Sequence, residues 1–492
     1  MASDRRQVRG VDYQRADEGY MDKRSLRAGA AGWVLLAGLG VAYVISGDYA
    51  GWNFGLAEGG WGGLLIATVL MAIMYMCMVL GLAELSSSLP TAGAGYGFAR
   101  RALGPLAGFA TGTAILIEYA VAPAAIVIFI GGYVESLDIF GITAGWPLYL
   151  AFYIVFIGIH LYGVGEALKL MFAITAVAVV GLIVFVVGMI PEFSASNLTD
   201  IAPDPSASGS SDFIPFGYAG ILAAFVYGIW FFLAIEGVPL AAEETRDPAK
   251  DMPKGIITGM LILLVFAALI LTLGPGGAGS EALSASDNPL PEALAIAHGE
   301  ESTIKEFVNY IGLFGLIASF FSIIYAYSRQ LFALSRAGYL PRALSVTTGR
   351  RTPGVALVVP GLLGFLLAAI YAEATSPAEA GARMIQIAVF GATVSYVLMM
   401  LSHIVLRRTE PDLHRPYRTP GGIATTGVAF VLAIAAVIAV FFVDETAALI
   451  TAGVFALALA YFWFYSRHRL VADAPEEEFE AIERAEAELA GS

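Results

Sequence analysis

The chain has 492 residues, of which 58% are hydrophobic and only 14% charged, with a mean hydropathy of +0.75. So few charges cannot cover the surface of a soluble globular protein of this size, so the composition specifies an integral membrane protein. The net charge of −14 adds an acidic periphery, and nothing indicates nucleic-acid binding.

Residues 1–25 are polar and rich in Arg and Asp, with no apolar core or small-residue cleavage site, and are expected to form a cytoplasmic tail. A helix needs about 20 apolar residues to cross about 30 Å of hydrocarbon. Twelve such segments are expected within one polytopic domain over 26–470: 28–58, 62–88, 104–134, 145–163, 167–190, 216–242, 255–274, 306–334, 354–371, 382–406, 424–443 and 446–466. An acidic cytoplasmic tail over 471–492 follows, and its run 473–488 is expected to be solvated rather than a partner-binding helix.

Span 1 is interrupted by Val44-Ile45-Ser46-Gly47-Asp48-Tyr49-Ala50-Gly51-Trp52. An unpaired charge in hydrocarbon costs roughly 2.5 kcal/mol or more, so Asp48 is the first candidate for binding a cation. Cys77, the single cysteine, lies in span 2 and reads as a packing residue. Glu118 sits in the middle of span 3, and His160 in span 4 reads as a core histidine rather than a proton carrier.

Span 6 repeats the irregularity of span 1, with Gly228, Glu236, Gly237 and Pro239 in mid-membrane. Each glycine alone reads equally as a kink for close helix packing. Broken helices at corresponding positions of two five-helix halves instead point to an inverted-repeat transporter with its substrate site between them. The expected fold is therefore an all-α polytopic membrane protein with twelve transmembrane helices, a five-plus-five inverted repeat and interrupted helices 1 and 6.

Outside the spans, 191–215 and 275–302 read as external loops, the second holding a short helix near 291–297. Lys and Arg concentrate before span 1, after span 12 and in the connections 2–3, 6–7, 8–9 and 10–11, while the opposite loops are acidic, with only Lys305 and Arg383 as cations. The positive side is the cytoplasm, which puts both ends inside.

Several stretches resemble the amino acid/polyamine/organocation superfamily. They are Glu84-Leu85-Ser86-Ser87-Ser88-Leu89-Pro90-Thr91-Ala92-Gly93 with Tyr96, Glu243-Glu244-Thr245-Arg246-Asp247-Pro248 with Pro253, and Ser328-Arg329-Gln330-Leu331 through Arg336-Ala337-Gly338-Tyr339-Leu340-Pro341. Within it, Ile45-Ser46-Gly47-Asp48-Tyr49 through Trp52-Asn53-Phe54-Gly55-Leu56-Ala57-Glu58-Gly59-Gly60, Ile117-Glu118-Tyr119-Ala120-Val121-Ala122-Pro123-Ala124 and Ile235-Glu236-Gly237-Val238-Pro239 are similar to bacterial ethanolamine permeases. The resemblance implies secondary transport by alternating access and import of ethanolamine across the plasma (inner) membrane. The resemblance implies that some proton-coupled relatives carry a lysine in span 5, at a position that falls near Ala178. Lys169 lies too near the cytoplasmic end for that role, so uniport, exchange and a proton carried by a carboxylate all stay open.

The acids explain why an amine suits this scaffold. Transporters of this kind hold a substrate carboxylate on the backbone N–H groups of a Gly-rich break, here Ser46 and Gly47, and Asp48 would repel it. An ammonium group without a carboxylate turns that conflict into attraction. Glu118 and Glu236 join Asp48 as candidates for binding ammonium, carrying a co-transported proton or holding unwound backbone. Tyr49, Tyr119, Tyr227, Trp230 and Phe232 offer cation–π faces, with Trp230 as a gate over the substrate. Ser46, Ser319, Ser322 and Gln386 are candidates for the substrate hydroxyl. Glu84, Glu243, Glu244 and Arg329 are expected to close the inner gate by ion pairing. No metal-ligand cluster, nucleophile motif or phosphate loop is present, so no metal, cofactor or enzyme activity is expected. An amino acid or polyamine permease and a non-transporting amine sensor are the alternatives.

Overall fold

A computed structural model describes residues 6–8, 10–14, 19–26, 29, 31–138, 141–472, 474, 475 and 477. Its body is helical because a chain in hydrocarbon must satisfy its backbone hydrogen bonds within each segment. The membrane-embedded part comprises α1 (Trp33–Tyr49), α2 (Phe54–Ser88), α4 (Pro105–Ser136), α5 (Trp146–Tyr162), α6 (Val164–Met189), α7 (Gly217–Trp230), α8 (Pro248–Ala278), α11 (Thr303–Arg336), α12 (Gly354–Ala374), α13 (Pro377–Thr409), α14 (Ile423–Val443) and α15 (Glu445–Phe464). Ten of the described helical segments are long and apolar enough to cross a membrane; α1 and α5 are shorter apolar helices. Short helices α3 (Gly95–Leu103), α9 (Ser280–Leu283) and α10 (Pro289–His298) lie in the connections, the last close to the short helix expected near 291–297.

Local chemistry sets many of the helix starts. Pro occupies the first turn of α4, α5, α8, α10 and α13, where its missing N–H has no intrahelical partner to lose. Ser376 and Asp444 accept from Glu379 N and Ala447 N at the starts of α13 and α15. Both interruptions are present, the first at 50–53, a few residues after the centre of the expected stretch, and the second at 231–234, a few residues before Glu236 and Gly237. Asp48 still lies in the last turn of α1, and the non-helical residues are 50–53. A short helical stretch then runs to Gly60, whose φ of 64° and ψ of 178° divide α2 into two helices. In the second interruption α7 ends at Trp230 and a 3-10 helix, Ile235–Glu244, follows.

Packing brings α4 against α13 and α11, α2 against α7, and α1 against α8, with α11 also on α6 and α1. The ends of the chain meet. Strand β1 (Arg6–Val8) pairs antiparallel with β2 (Val11–Gln14), and β2 pairs in parallel with β3 (Leu470–Val471), Tyr13 opposite Leu470. Residues expected as a plain N-terminal tail are therefore folded against the bundle, with Arg24 buried and its Nε donating to Ser345 Oγ at 2.9 Å. Most of the run expected to be solvated, 473–488, lies outside the described residues, as do Arg5, Arg9 and Arg27. Glu477 is described, and it is buried: Arg100 donates to it at 2.8 Å and the Tyr13 hydroxyl at 2.7 Å.

One close approach fixes the two interruptions relative to each other. A Cβ added at Gly47 would lie 2.4 Å from the carbonyl oxygen of Trp230, a backbone atom that cannot step aside. Gly47→Ala is expected to cost about 1–3 kcal/mol through overpacking and to lower the thermal unfolding temperature in detergent. Gly427→Ala, with no atom within 4 Å of the added carbon, should leave it unchanged or higher.

Candidate functional site

The two interruptions are stapled together. Trp230 Nε1 donates to Ala50 O at 2.9 Å, and the Trp52 ring stacks on Phe231 at 5.6 Å. Gly51, at φ 91°, donates from its N–H to Asn53 Oδ1 at 3.1 Å, and Asn53 Nδ2 donates to Leu283 O and Ser286 O at 2.7 and 2.9 Å. On the other side Ala234 takes φ 78° to turn the chain into the 3-10 helix. The indole expected as a gate is thus also a hydrogen-bonding brace for the broken backbone of the first interruption.

Glu236 opens the 3-10 helix and sits among tyrosines. Tyr119 donates to its Oε1 and Tyr396 to its Oε2, each at 3.0 Å, and the hydroxyls of Tyr396 and Tyr75 lie 2.9 Å apart. The Glu118 carboxyl, fully buried on α4, interacts with that of Glu236, and neither of its oxygens meets a hydrogen-bond donor among the described residues. Two ionised carboxyl groups close together repel, and a proton or a cation taken up between them relieves that repulsion.

Asp48 does not join this pair. At 100° per residue it lies about 200° around α1 from Ser46, whose Oγ is 2.8 Å from Ser319 Oγ, while Ser319 donates to Tyr43 O at 2.6 Å. Asp48 instead continues the stripe of Ala37, whose carbonyl faces Gly259 of α8. It is fully buried, and neither of its oxygens has a hydrogen-bond partner among the described residues. Tyr49 points away again: its hydroxyl donates to Ala178 O at 2.6 Å, and its ring lies against Gly312 and Gly315.

The remaining candidates scatter around these centres. Phe232 packs on Tyr75 at 5.5 Å, and Tyr227 accepts from Gln386 Nε2 at 3.3 Å, so Gln386 is drawn away from the serines. Ser322 donates to Ser319 O at 2.9 Å. His160 Nε2 meets Phe321 O at 2.8 Å inside the core. Tyr43, Tyr75 and Tyr396 escaped the sequence reading, because a hydroxyl-bearing aromatic in an apolar span looks the same whether it packs or donates.

Ion pairs tie the 3-10 helix to α11. Glu244 and Arg329 are 3.1 Å apart and fully buried, the Tyr325 hydroxyl also donates to Glu244, and the guanidinium lies 3.8 Å from the Tyr325 ring centroid. Glu243 pairs with Arg336 at 2.6 Å and accepts from Ala92 N at 3.0 Å. Glu84 belongs to a different cluster: it pairs with Arg407 at 2.5 Å and Arg415 at 2.9 Å and accepts from Thr419 N at 2.7 Å, joining α2 to α13 and the loop after it. At the opposite end of the bundle from the strands, a cavity of 590 Å³ is lined by Glu135, Asp287 and Glu292. Burial, then Glu292 and Glu135, push Asp287 up to about 6.

This arrangement can be set beside known proteins. The amino acid permease family matches residues 34–468. The chain belongs to that family. An uncharacterized transporter of Rhizobium meliloti is 29% identical over 82% of this chain and 84% of its own. A branched-chain amino acid permease of Bacillus subtilis is 26% identical over 75% and 78%, and a methylthioribose transporter of the same organism 23% identical over 77% and 79%. The family and these relatives are transporters rather than enzymes, and this permease is an integral membrane protein.

Arg329→Met leaves Glu244 buried without its cation, which is expected to cost about 3–5 kcal/mol and to show as a sharp loss of folded yield; Arg329→Met with Glu244→Gln should recover part of it. Asp287 binds its proton more tightly folded than unfolded, so its contribution to stability grows as pH falls from about 6 towards 4 and is absent from the slope above that window. Asp287→Asn should therefore show a smaller rise, or a larger fall, in unfolding temperature between pH 7.5 and 5.0 than the wild-type chain.

Proposed function

We propose that this permease imports ethanolamine, or a closely related small primary amine, across the plasma membrane by alternating access. The observation that carries the reading is the charge of the site: Asp48, Glu118 and Glu236 are all buried near the two interruptions, and none forms an ion pair among the described residues. A substrate carboxylate would add an anion where the buried arginine of α11, Arg329, is already bound to Glu244. An ammonium group supplies the missing cation, and the acid-lined cavity at the far end concentrates cations at the mouth.

In this reading one acid holds the ammonium and another carries a co-transported proton, while Trp230 and the aromatic rings near it close over the substrate. Two shorter apolar helices added to ten long ones support twelve crossings, and the matched irregularity of helices 1 and 6 supports a five-plus-five inverted repeat. The pairing of Tyr13 with Leu470 brings the two ends to one side of the bundle, in keeping with cytoplasmic termini. Ion pairs Glu244–Arg329 and Glu243–Arg336 serve as the inner gate, and Glu243→Gln should change transport rate more than substrate affinity.

An amino acid substrate is the second reading, favoured by relatives named as amino acid permeases. Family membership alone does not select it, since another relative is named a methylthioribose transporter. Uptake of labelled ethanolamine into proteoliposomes separates the two. Asp48→Asn is expected to lower uptake at least about tenfold, the loss of roughly 1.4 kcal/mol of differential binding, with excess leucine or alanine having no effect. Competition by either amino acid together with full activity of Asp48→Asn and Glu236→Gln would establish the second reading. Binding without accumulation would make the protein a sensor.

A further inference from the structure

A second cavity, of 730 Å³, lies far from the interruptions, where the loop after α11 meets the end of α15 and strand β2. Its polar lining includes Gln14, Arg342, His468 and Arg469, with no acidic residue among the described residues that line it. Arg342 Nη2 donates to Gln14 Oε1 at 2.9 Å, and Arg469 Nη1 donates to the Tyr465 hydroxyl at 3.0 Å with its guanidinium 4.2 Å from that ring centroid. Neither arginine has an ion pair among the described residues. Among the described residues, the nearby acid Asp12 is bound to His468 Nδ1 at 2.7 Å. Two guanidiniums thus line one cavity with donors to spare and no ion-pair partner among the described residues.

The wall of the cavity also carries the apolar edge of the bundle. Phe464, which lines it, is 86% exposed, and Leu457 and Trp463 continue an exposed apolar flank along α15. Arg467 lies over the Trp463 ring, 5.0 Å from its centroid, as expected where a spanning helix leaves hydrocarbon for the headgroup layer. A ligand filling this place must offer an anion to Arg342 and Arg469 and hydrocarbon to Phe464. We propose that the cavity binds the headgroup phosphate of an anionic phospholipid of the adjoining leaflet, with its acyl chains along the outer face of α15. Basic pockets at the ends of membrane helices suit a phosphodiester, because the planar guanidinium forks match its oxygens. The site shares no residue with the acids of the interruptions.

The test uses full-length protein in a neutral detergent, with bound lipid counted by native mass spectrometry and thermal unfolding followed in parallel. The probes are phosphatidylglycerol, phosphatidylcholine and soluble glycerol 3-phosphate. Phosphatidylglycerol is expected to bind and raise the unfolding temperature, phosphatidylcholine to bind at least about tenfold more weakly, and Arg342→Gln and Arg469→Gln each to weaken phosphatidylglycerol by about tenfold. Arg342 also holds Gln14, so its variant could fail through the strands; the Arg469 side chain is exposed and among the described residues donates only to Tyr465, and its variant reads the site without disturbing the fold. Unchanged phosphatidylglycerol binding in Arg469→Gln, or equal binding of phosphatidylcholine, overturns the proposal. Binding of glycerol 3-phosphate as tight as that of the lipid overturns it in favour of a soluble phosphate.

Discussion

The constraint on which the structure depends is that a helix cannot stop inside a membrane unless protein takes over its hydrogen bonds. Here two helices stop, and each supplies what the other lacks. The indole of Trp230, at the end of α7, donates to the carbonyl of Ala50 just past the end of α1, and Asn53 ties the same stretch to Leu283 and Ser286. In return Gly47 offers no side chain, so the Trp230 carbonyl comes close to α1. The stacked rings of Trp52 and Phe231 cover the join. Displacing either interruption exposes the polar backbone of the other, so the two are expected to move as one unit.

Charge is distributed in two contrasting ways around that unit. Below the second interruption, acids and arginines are matched, as in Glu244 with Arg329 and Glu243 with Arg336, so the buried charges offset one another. Beside the interruptions themselves, three acids stand without cations among the described residues, two of them near each other and the third on the far face of α1. A matched pair costs energy to separate and so holds a conformation, whereas an unmatched acid costs energy to keep and so favours any state in which a cation or proton arrives. The same residue type thus serves closure in one place and recruitment in another, and the difference lies entirely in its neighbours.

Much of the fold was readable from the chain because span length and the positions of Gly, Pro and acids are local properties. Each expected span overlaps a helix, and both interruptions are present within a few residues of where Gly47 and Gly237 pointed. The site was less readable, because its content is a matter of facing. Asp48, Glu118 and Glu236 stood out as acids in apolar segments, but which two would touch depends on the rotation of α1 against α8. Glu84 has the look of a gate residue from its motif, yet its partners Arg407 and Arg415 lie more than 300 positions later. Tyr75 and Tyr396 were hidden among 22 tyrosines, and β3 is two residues long, too short for any alternation to register.

The pairing of β2 with β3 sets an order of events for biosynthesis. Tyr13 leaves the ribosome long before Leu470, so strand β2 waits through the insertion of every helix between them before its partner exists. The ring of contacts around Glu477, which joins Tyr13 and Arg100, closes only then. A chain stopped just before Leu470 would insert its helices yet leave the early strand without a partner, giving the cell's quality-control machinery a chemical mark of incompleteness.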